Sequence, residues 1–298
     1  MNSTGQSFAL PRPVLRLIAA ILTAVLATAG TALAKDSEAV IGGVPVHVWE
    51  PDQPTIARQP VIFFSHGFHG CSTQSKFLMR AFAKAGYIVF APNHHDATCN
   101  NGDQSILDKP QVSLRKPLRW TEATFRNRAD DFSKVIAALK RDRQWNSRIN
   151  WNEMGLAGHS LGGYTVLGMS GAWPGWRIDG VKATLALSPY VGPYLHRDSL
   201  RHLEAPVMYQ GGTRDIFVTP KVRRPGGGYD LSKGPKYYVE FLGAGHLTWT
   251  DLGLFTRTRI SEASVAFMDR YVRGKTGDAP LSSLAGRFGV SDFRYEPR

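Results

Sequence analysis

The segment Gly158-His159-Ser160-Leu161-Gly162 sets a serine between two glycines, directly after the apolar run Met154-Gly155-Leu156-Ala157. A serine hydroxyl is a poor nucleophile near neutral pH. It needs a base to take its proton, a group to orient that base, and donors for the oxyanion that develops. A strand running through a tight, small-residue turn into a helix presents such a serine, so Ser160 is expected to be the nucleophile of an acyl transfer. Its partners should follow in the order acid, then histidine, each just past a strand. Asp215 closes Gly211-Gly212-Thr213-Arg214-Asp215 after an apolar run at 206–209, and His246 closes Gly243-Ala244-Gly245-His246 after one at 237–242. His246 is the expected general base and Asp215 its orienter. His196, His202, Asp179 and Asp230 do not follow strand ends in this way and are read as surface residues.

Two backbone N–H groups are expected to form the oxyanion hole. One belongs to Leu161, after the nucleophile, and one to Phe68 in the loop Ser65-His66-Gly67-Phe68. His66 is expected to brace that loop by hydrogen bonds, and His159 to be a packed structural histidine. His66 and His69 lack acids or histidines at ligand spacing, so no metal is expected. Tyr190, Tyr194 and Trp249 follow predicted strand ends and are candidates to line an acyl or alcohol pocket; ordinary core or rim aromatics are the alternative.

The elements that must position these groups are legible in outline. Strands are predicted at 44–49, 60–64, 87–91, 154–157, 181–187, 206–209 and 237–242. Helices are predicted at 75–85, 122–143, 164–170 and 261–273, the second with Phe125, Ala129, Phe132, Ile136 and Leu139 on one face. Strands alternating with helices imply a mostly parallel sheet covered on both faces, a three-layer α/β domain without a large lid. Residues 93–117, rich in Asn, Asp, Gly and Pro, read as a long surface excursion and the best candidate for a partial cover. Residues 281–298 are expected to wrap over the surface.

Arg12 and Arg16, an apolar run from Leu17, and Ala32-Leu33-Ala34 before polar Lys35 read as a signal peptide cut after Ala34, with 35–298 as one catalytic domain. An uncleaved anchor is the competing reading, but the apolar stretch is short for a span. A secreted or periplasmic location follows, and it permits a Cys71–Cys99 bridge, two free thiols being the alternative. Loss of 1–34 removes two arginines and no acid, taking the formal charge from +12 to +10. That charge favours weak association with anionic surfaces, although a soluble basic exported protein satisfies it equally. No aromatic-and-basic pattern suggests nucleic acid, and the oligomeric state is left open.

Together, Ser65-His66-Gly67-Phe68, the Asn93-His94-His95-Asp96 ending, Gly158-His159-Ser160-Leu161-Gly162-Gly163, Gly212-Thr213-Arg214-Asp215 and Gly245-His246 resemble the α/β-hydrolase superfamily. Within it, the chain resembles the dienelactone-hydrolase-like and platelet-activating-factor-acetylhydrolase-like esterases over roughly 44–274. The resemblance implies the three-layer α/β-hydrolase fold and esterase activity on carboxylic esters without a cofactor. Substrates would be small to medium esters or lipid acyl groups, with a polyester or cutin-type depolymerase as a further reading and a non-catalytic module as a remote one. Dienelactone hydrolases proper carry a cysteine where this chain carries Ser160.

Overall fold

A computed structural model of the chain describes residues 35–52, 57–99, 105, 107–253, 256–277 and 279–297. The predicted signal peptide lies outside the described residues. The described strands form a nine-stranded sheet. They are β1 (Lys35–Ile41), β2 (Val44–Glu50), β3 (Gln59–Ser65), β4 (Ile88–Pro92), β5 (Ile149–His159), β6 (Val181–Leu187), β7 (Val207–Gly212), β8 (Lys236–Phe241) and β9 (Val290–Glu296). Their spatial order is β1-β2-β4-β3-β5-β6-β7-β8-β9. The block from β4 to β8 is parallel throughout, while β1, β2 and β9 join antiparallel.

The central strands read as continuous apolar runs because both faces are covered. In β3, Val61 and Phe63 point into one core and Ile62 and Phe64 into the other. The first core is closed by α2 (Arg126–Arg141) and α3 (Leu161–Leu167), through Phe132, Ile136, Leu139 and Tyr164. The second is closed by α1 (Lys76–Lys84) and α4 (Arg257–Tyr271), through Phe82, Ile260 and Phe267. This is the three-layer, mostly parallel architecture that the alternating pattern implied. No helix among the described residues is long and apolar enough to cross a membrane.

Several boundaries differ from expectation. The second helix starts at Arg126, because Thr121–Phe125 forms turns and Phe125 adopts a left-handed φ of 60°. The helix after Ser160 starts three residues earlier than predicted, at Leu161. Residues 281–298 do more than wrap the surface, since Val290–Glu296 is a ninth strand whose Tyr295 stacks on Tyr237 at 4.5 Å. The first strand, Lys35–Ile41, was not predicted at all. Four of its first five residues are exposed or polar, so no apolar alternation marks it.

Cys71 and Cys99 are bridged, 28 residues apart. The bridge ties the loop after β3 to the loop after β4. Thr98 Oγ1 donates to the His69 carbonyl (2.9 Å) and the Ser72 N–H donates to Asn93 Oδ1 (2.6 Å), along the same seam. In the chain-entropy model such a loop is worth roughly 3–4 kcal/mol. Thermal melts with and without reductant should therefore show a clear fall in Tm on reduction; an unchanged Tm would show that the bridge adds nothing.

Candidate active site

The position of Ser160 follows from the glycines around it. Ser160 joins β5 to α3 with φ 55° and ψ −114°, a conformation that costs on the order of 1–3 kcal/mol for a residue with a side chain. The crossing is tight. A Cβ on Gly158 would stand 2.3 Å from the Gly162 carbonyl oxygen, and one on Gly162 would stand 2.0 Å from that of Ser65. Only hydrogen fits at either position. The turn is pinned by the Ser160 N–H donating to Leu187 (3.0 Å) and by the Tyr190 N–H donating to the Ser160 carbonyl (3.0 Å).

Asp215 follows β7 and His246 follows β8, so both stand at the carboxyl ends of parallel strands, beside Ser160 at the end of β5. Ser160 Oγ lies 2.8 Å from His246 Nε2, and His246 Nδ1 lies 3.1 Å from Asp215 Oδ2. The structure thus brings the three predicted residues into one hydrogen-bonded chain. The Asp215 carboxylate is sealed from water, while the His246 side chain is 32% exposed and Ser160 is half-buried. Burial alone would raise the Asp215 pKa, but hydrogen bonds from His246 and from the Ser188 hydroxyl hold it below the usual value. Asp215 is therefore ionised and fixes His246 as the Nδ1–H tautomer, leaving Nε2 free to accept the serine proton.

Ser188 is a member of this site that the sequence did not suggest. It is fully buried directly after β6, at a φ of 42°. Its hydroxyl donates to Asp215 Oδ2 and lies 3.0 Å from His246 Nδ1.

The loop expected to supply an oxyanion donor lies close by: a Cβ on Gly67 would stand 3.4 Å from Ser160 Cβ. Among the described residues, neither the Phe68 nor the Leu161 N–H donates to a backbone or side-chain acceptor. Two networks hold this loop. In the first, Gly67 N–H donates to Gln74 Oε1 (3.0 Å), and Gln74 Nε2 donates to His159 Nδ1 (3.1 Å). His159 Nε2–H then donates to the His246 carbonyl (2.8 Å). A carbonyl only accepts, so every direction in this chain is fixed. It links the loop at 65–68, the residue beside Ser160 and the loop carrying His246.

The second network centres on Arg128, which is completely buried. Its guanidinium grips Asp96 through Nε (2.9 Å) and an Nη (2.6 Å), and donates to the carbonyls of His66 (2.7 Å) and Gly67 (3.1 Å). Burial alone would raise the Asp96 pKa; the paired Arg128 holds it well below the carboxylate range. His66 donates from Nδ1 to the Gly67 carbonyl (2.7 Å) and accepts the His94 N–H at Nε2 (3.0 Å). Both its nitrogens are committed within the loop, which leaves none for a metal.

A second serine–histidine–aspartate chain runs through Ser65, His94 and Asp131, with 3.0 Å at each step. Ser65 and His94 are fully buried, and Arg128 donates to the Ser65 hydroxyl (3.3 Å). Ser65 and His94 are shut off from solvent, which places this chain to brace the loop.

Tyr190, Tyr194 and Trp249 do not line an open pocket. Tyr194 and Trp249 are fully buried. Tyr194 donates to the Tyr164 carbonyl (2.7 Å), and Trp249 Nε1 donates to Gln210 Oε1 (3.0 Å) beneath the His246 loop. Tyr190 is 6% exposed and donates its hydroxyl to the Leu114 carbonyl (2.8 Å). Large rings just past strand ends turn inward here because burying them removes much apolar surface from water. A cleft of about 740 Å³, lined in part by Arg177, Arg201, His202 and Lys233, opens at the amino ends of β7 and β8, across the sheet from Ser160.

The buried histidines set the acid limit of this arrangement. Burial pushes His159 down to about 3, and it holds His66 and His94 well below 6.5, with the Arg128 cation adding to both. The unfolded chain binds protons at these rings near pH 6.5 and the folded chain does not. Their contribution is therefore complete above that pH and is lost as the pH falls, by about 1.4 kcal/mol per ring per pH unit. Asp131 opposes this between about pH 6 and pH 4, because burial raises it to about 6 and the folded state takes up its proton first. Urea midpoints should decline steadily from pH 7 to pH 5; a flat profile would contradict the neutral histidines.

A family model described as the dienelactone hydrolase family matches residues 44–225, more than half of the chain, starting at β2, taking in Ser160 and Asp215 and ending before His246. A search of curated proteins finds no match. The matched range, the mostly parallel sheet and the helices on both faces agree, and the chain belongs to the dienelactone hydrolase family, within the α/β-hydrolase superfamily.

Proposed function

We propose that the protein is a secreted serine hydrolase that cleaves carboxylic esters through an acyl-enzyme on Ser160. The observation that carries this reading is the hydrogen-bonded chain from Ser160 Oγ through His246 to Asp215, at 2.8 Å and 3.1 Å. Ser160 Oγ attacks the ester carbonyl carbon while its proton passes to His246 Nε2. The carbonyl oxygen becomes an oxyanion facing the Phe68 and Leu161 N–H groups. Collapse of the tetrahedral adduct breaks the bond to the alcohol, which leaves with the proton held by His246. A water then enters, gives its proton to His246 and attacks the acyl carbon; the acid departs and Ser160 regains its proton. Asp215, steadied by Ser188, compensates the imidazolium formed in each half. Secretion is supported by the residues at 12–34 and by the Cys71–Cys99 bridge, which an oxidising compartment sustains.

p-Nitrophenyl esters of graded acyl length, with a phospholipid and a polyester film alongside, test this reading. Turnover of at least one ester class is expected, with the acyl length of the optimum reporting the substrate. A folded protein inactive on the whole set would sink it.

A further inference from the structure

Five of the large apolar side chains left exposed, Leu114, Leu118, Ile216, Phe217 and Leu247, lie on segments that border the triad, while others such as Val40 and Phe288 lie elsewhere on the surface. Ile216 and Phe217 directly follow Asp215, and Leu247 directly follows His246. Phe217 is 78% exposed and Leu118 is 68% exposed, values that a water-facing surface rarely gives such side chains in a cluster. Leu114 and Leu118 belong to the other flank of the site. The Leu114 carbonyl accepts the Tyr190 hydroxyl, and Tyr190 in turn donates its N–H to Ser160. The flank carrying Phe217 reaches the same residue, since Lys221 Nζ lies 5.8 Å from the centre of the Tyr190 ring. Both apolar flanks thus border the residue that holds the nucleophile.

The charges among them are of one sign. Residues 109–119 hold Lys109, Arg115, Lys116 and Arg119 and no acid. Residues 214–224 hold Arg214, Lys221, Arg223 and Arg224, and their one acid is the buried Asp215. Exposed apolar side chains interleaved with cations are what a surface needs to sit on an anionic bilayer. The cations meet the headgroups, while the apolar groups enter the acyl boundary. The partly exposed His246 faces out on the same side, so an ester held at that boundary meets the nucleophile without leaving it.

We propose that the rim formed by Leu114, Leu118, Ile216 and Phe217, with Arg115, Lys116 and Arg214 between them, docks the active site onto an anionic phospholipid surface. This rests on the esterase reading only for its purpose, since docking itself requires no turnover.

The test is co-sedimentation of the full protein with vesicles of phosphatidylcholine, with or without about 30 mol % phosphatidylglycerol, at low and high salt. Binding to the anionic vesicles is expected at low salt, at least about tenfold stronger than to phosphatidylcholine alone, and weaker at high salt. Arg115→Ser and Lys116→Ser should each weaken it about fivefold. Leu118→Ser and Phe217→Ser should each weaken it by about tenfold, with Tm unchanged. Val40→Ser, a change at an equally exposed residue on the remote edge strand β1, should have no effect. Equal binding to both vesicle types, an effect of Val40→Ser matching that of Phe217→Ser, or adsorption to polyester film without vesicle binding would each overturn the proposal. Vesicle binding by a protein inactive on every ester would leave the docking surface standing and remove the catalytic reading.

Discussion

Ser160→Ala is expected to lower kcat on any ester substrate by at least about 10⁴-fold, because the nucleophile and the base act as a unit and loss of one leaves only binding and the oxyanion donors. Tm should be unchanged or slightly higher. The hydroxyl makes no hydrogen bond other than that to His246 among the described residues, and the strained φ of 55° belongs to the backbone. A fall in activity accompanied by a fall in Tm would point instead to a structural serine. The companion change Asp215→Asn should cost a similar factor by a different route. An asparagine can present its NH₂ group to His246 Nδ1, which selects the wrong tautomer of the base.

Arg128→Met is expected to give the largest loss of stability of any single change, about 3–5 kcal/mol. It strips the partner from Asp96, a buried carboxylate, and the donors from two backbone carbonyls. Where the variant still folds, at low temperature, kcat should fall by about 10²-fold, the order seen when an oxyanion donor is lost, because Gly67 and Phe68 are no longer held. Adding Asp96→Asn to Arg128→Met removes the orphaned charge. The pair should regain part of the stability and little of the activity, since the carbonyls of His66 and Gly67 remain without their donors. A double variant that regained kcat as fully as Tm would show that Arg128 supports the fold and does not position the loop.

Ser160, Asp215 and His246 were legible in the sequence because each lies at a strand end with a local signature: glycines forced by close approach at 158 and 162, and glycine-rich turns before the acid and the base. The parallel core was legible for a related reason, since strands buried on both faces leave unbroken apolar runs such as Val61-Ile62-Phe63-Phe64. The supporting groups were not. Arg128 lies beside Phe125, Ala129 and Phe132 on a helix whose pattern reads as an ordinary amphipathic face, and nothing local shows that this cation turns inward. Its partner Asp96 is 32 residues away, and Ser188 meets Asp215 across 27, so neither contact leaves a spacing signal. The edge strands β1 and β9 escaped because one face meets water and their polar residues break the alternation. Tyr194 and Trp249 were misplaced for the opposite reason. Position after a strand says which end of the sheet a residue occupies and does not say whether its ring turns out or in.

The central claim is that Ser160, and no other serine, is the nucleophile. Reaction with a fluorophosphonate, followed by peptide mass spectrometry, reads this directly, because such reagents modify serines activated by a neighbouring base. A single phosphonyl adduct on the peptide containing Ser160 is expected, slowed by an ester substrate and lost in His246→Ala. An adduct on Ser65 or Ser188, each hydrogen-bonded to a histidine and standing by an aspartate, or no adduct on the folded protein, would contradict it.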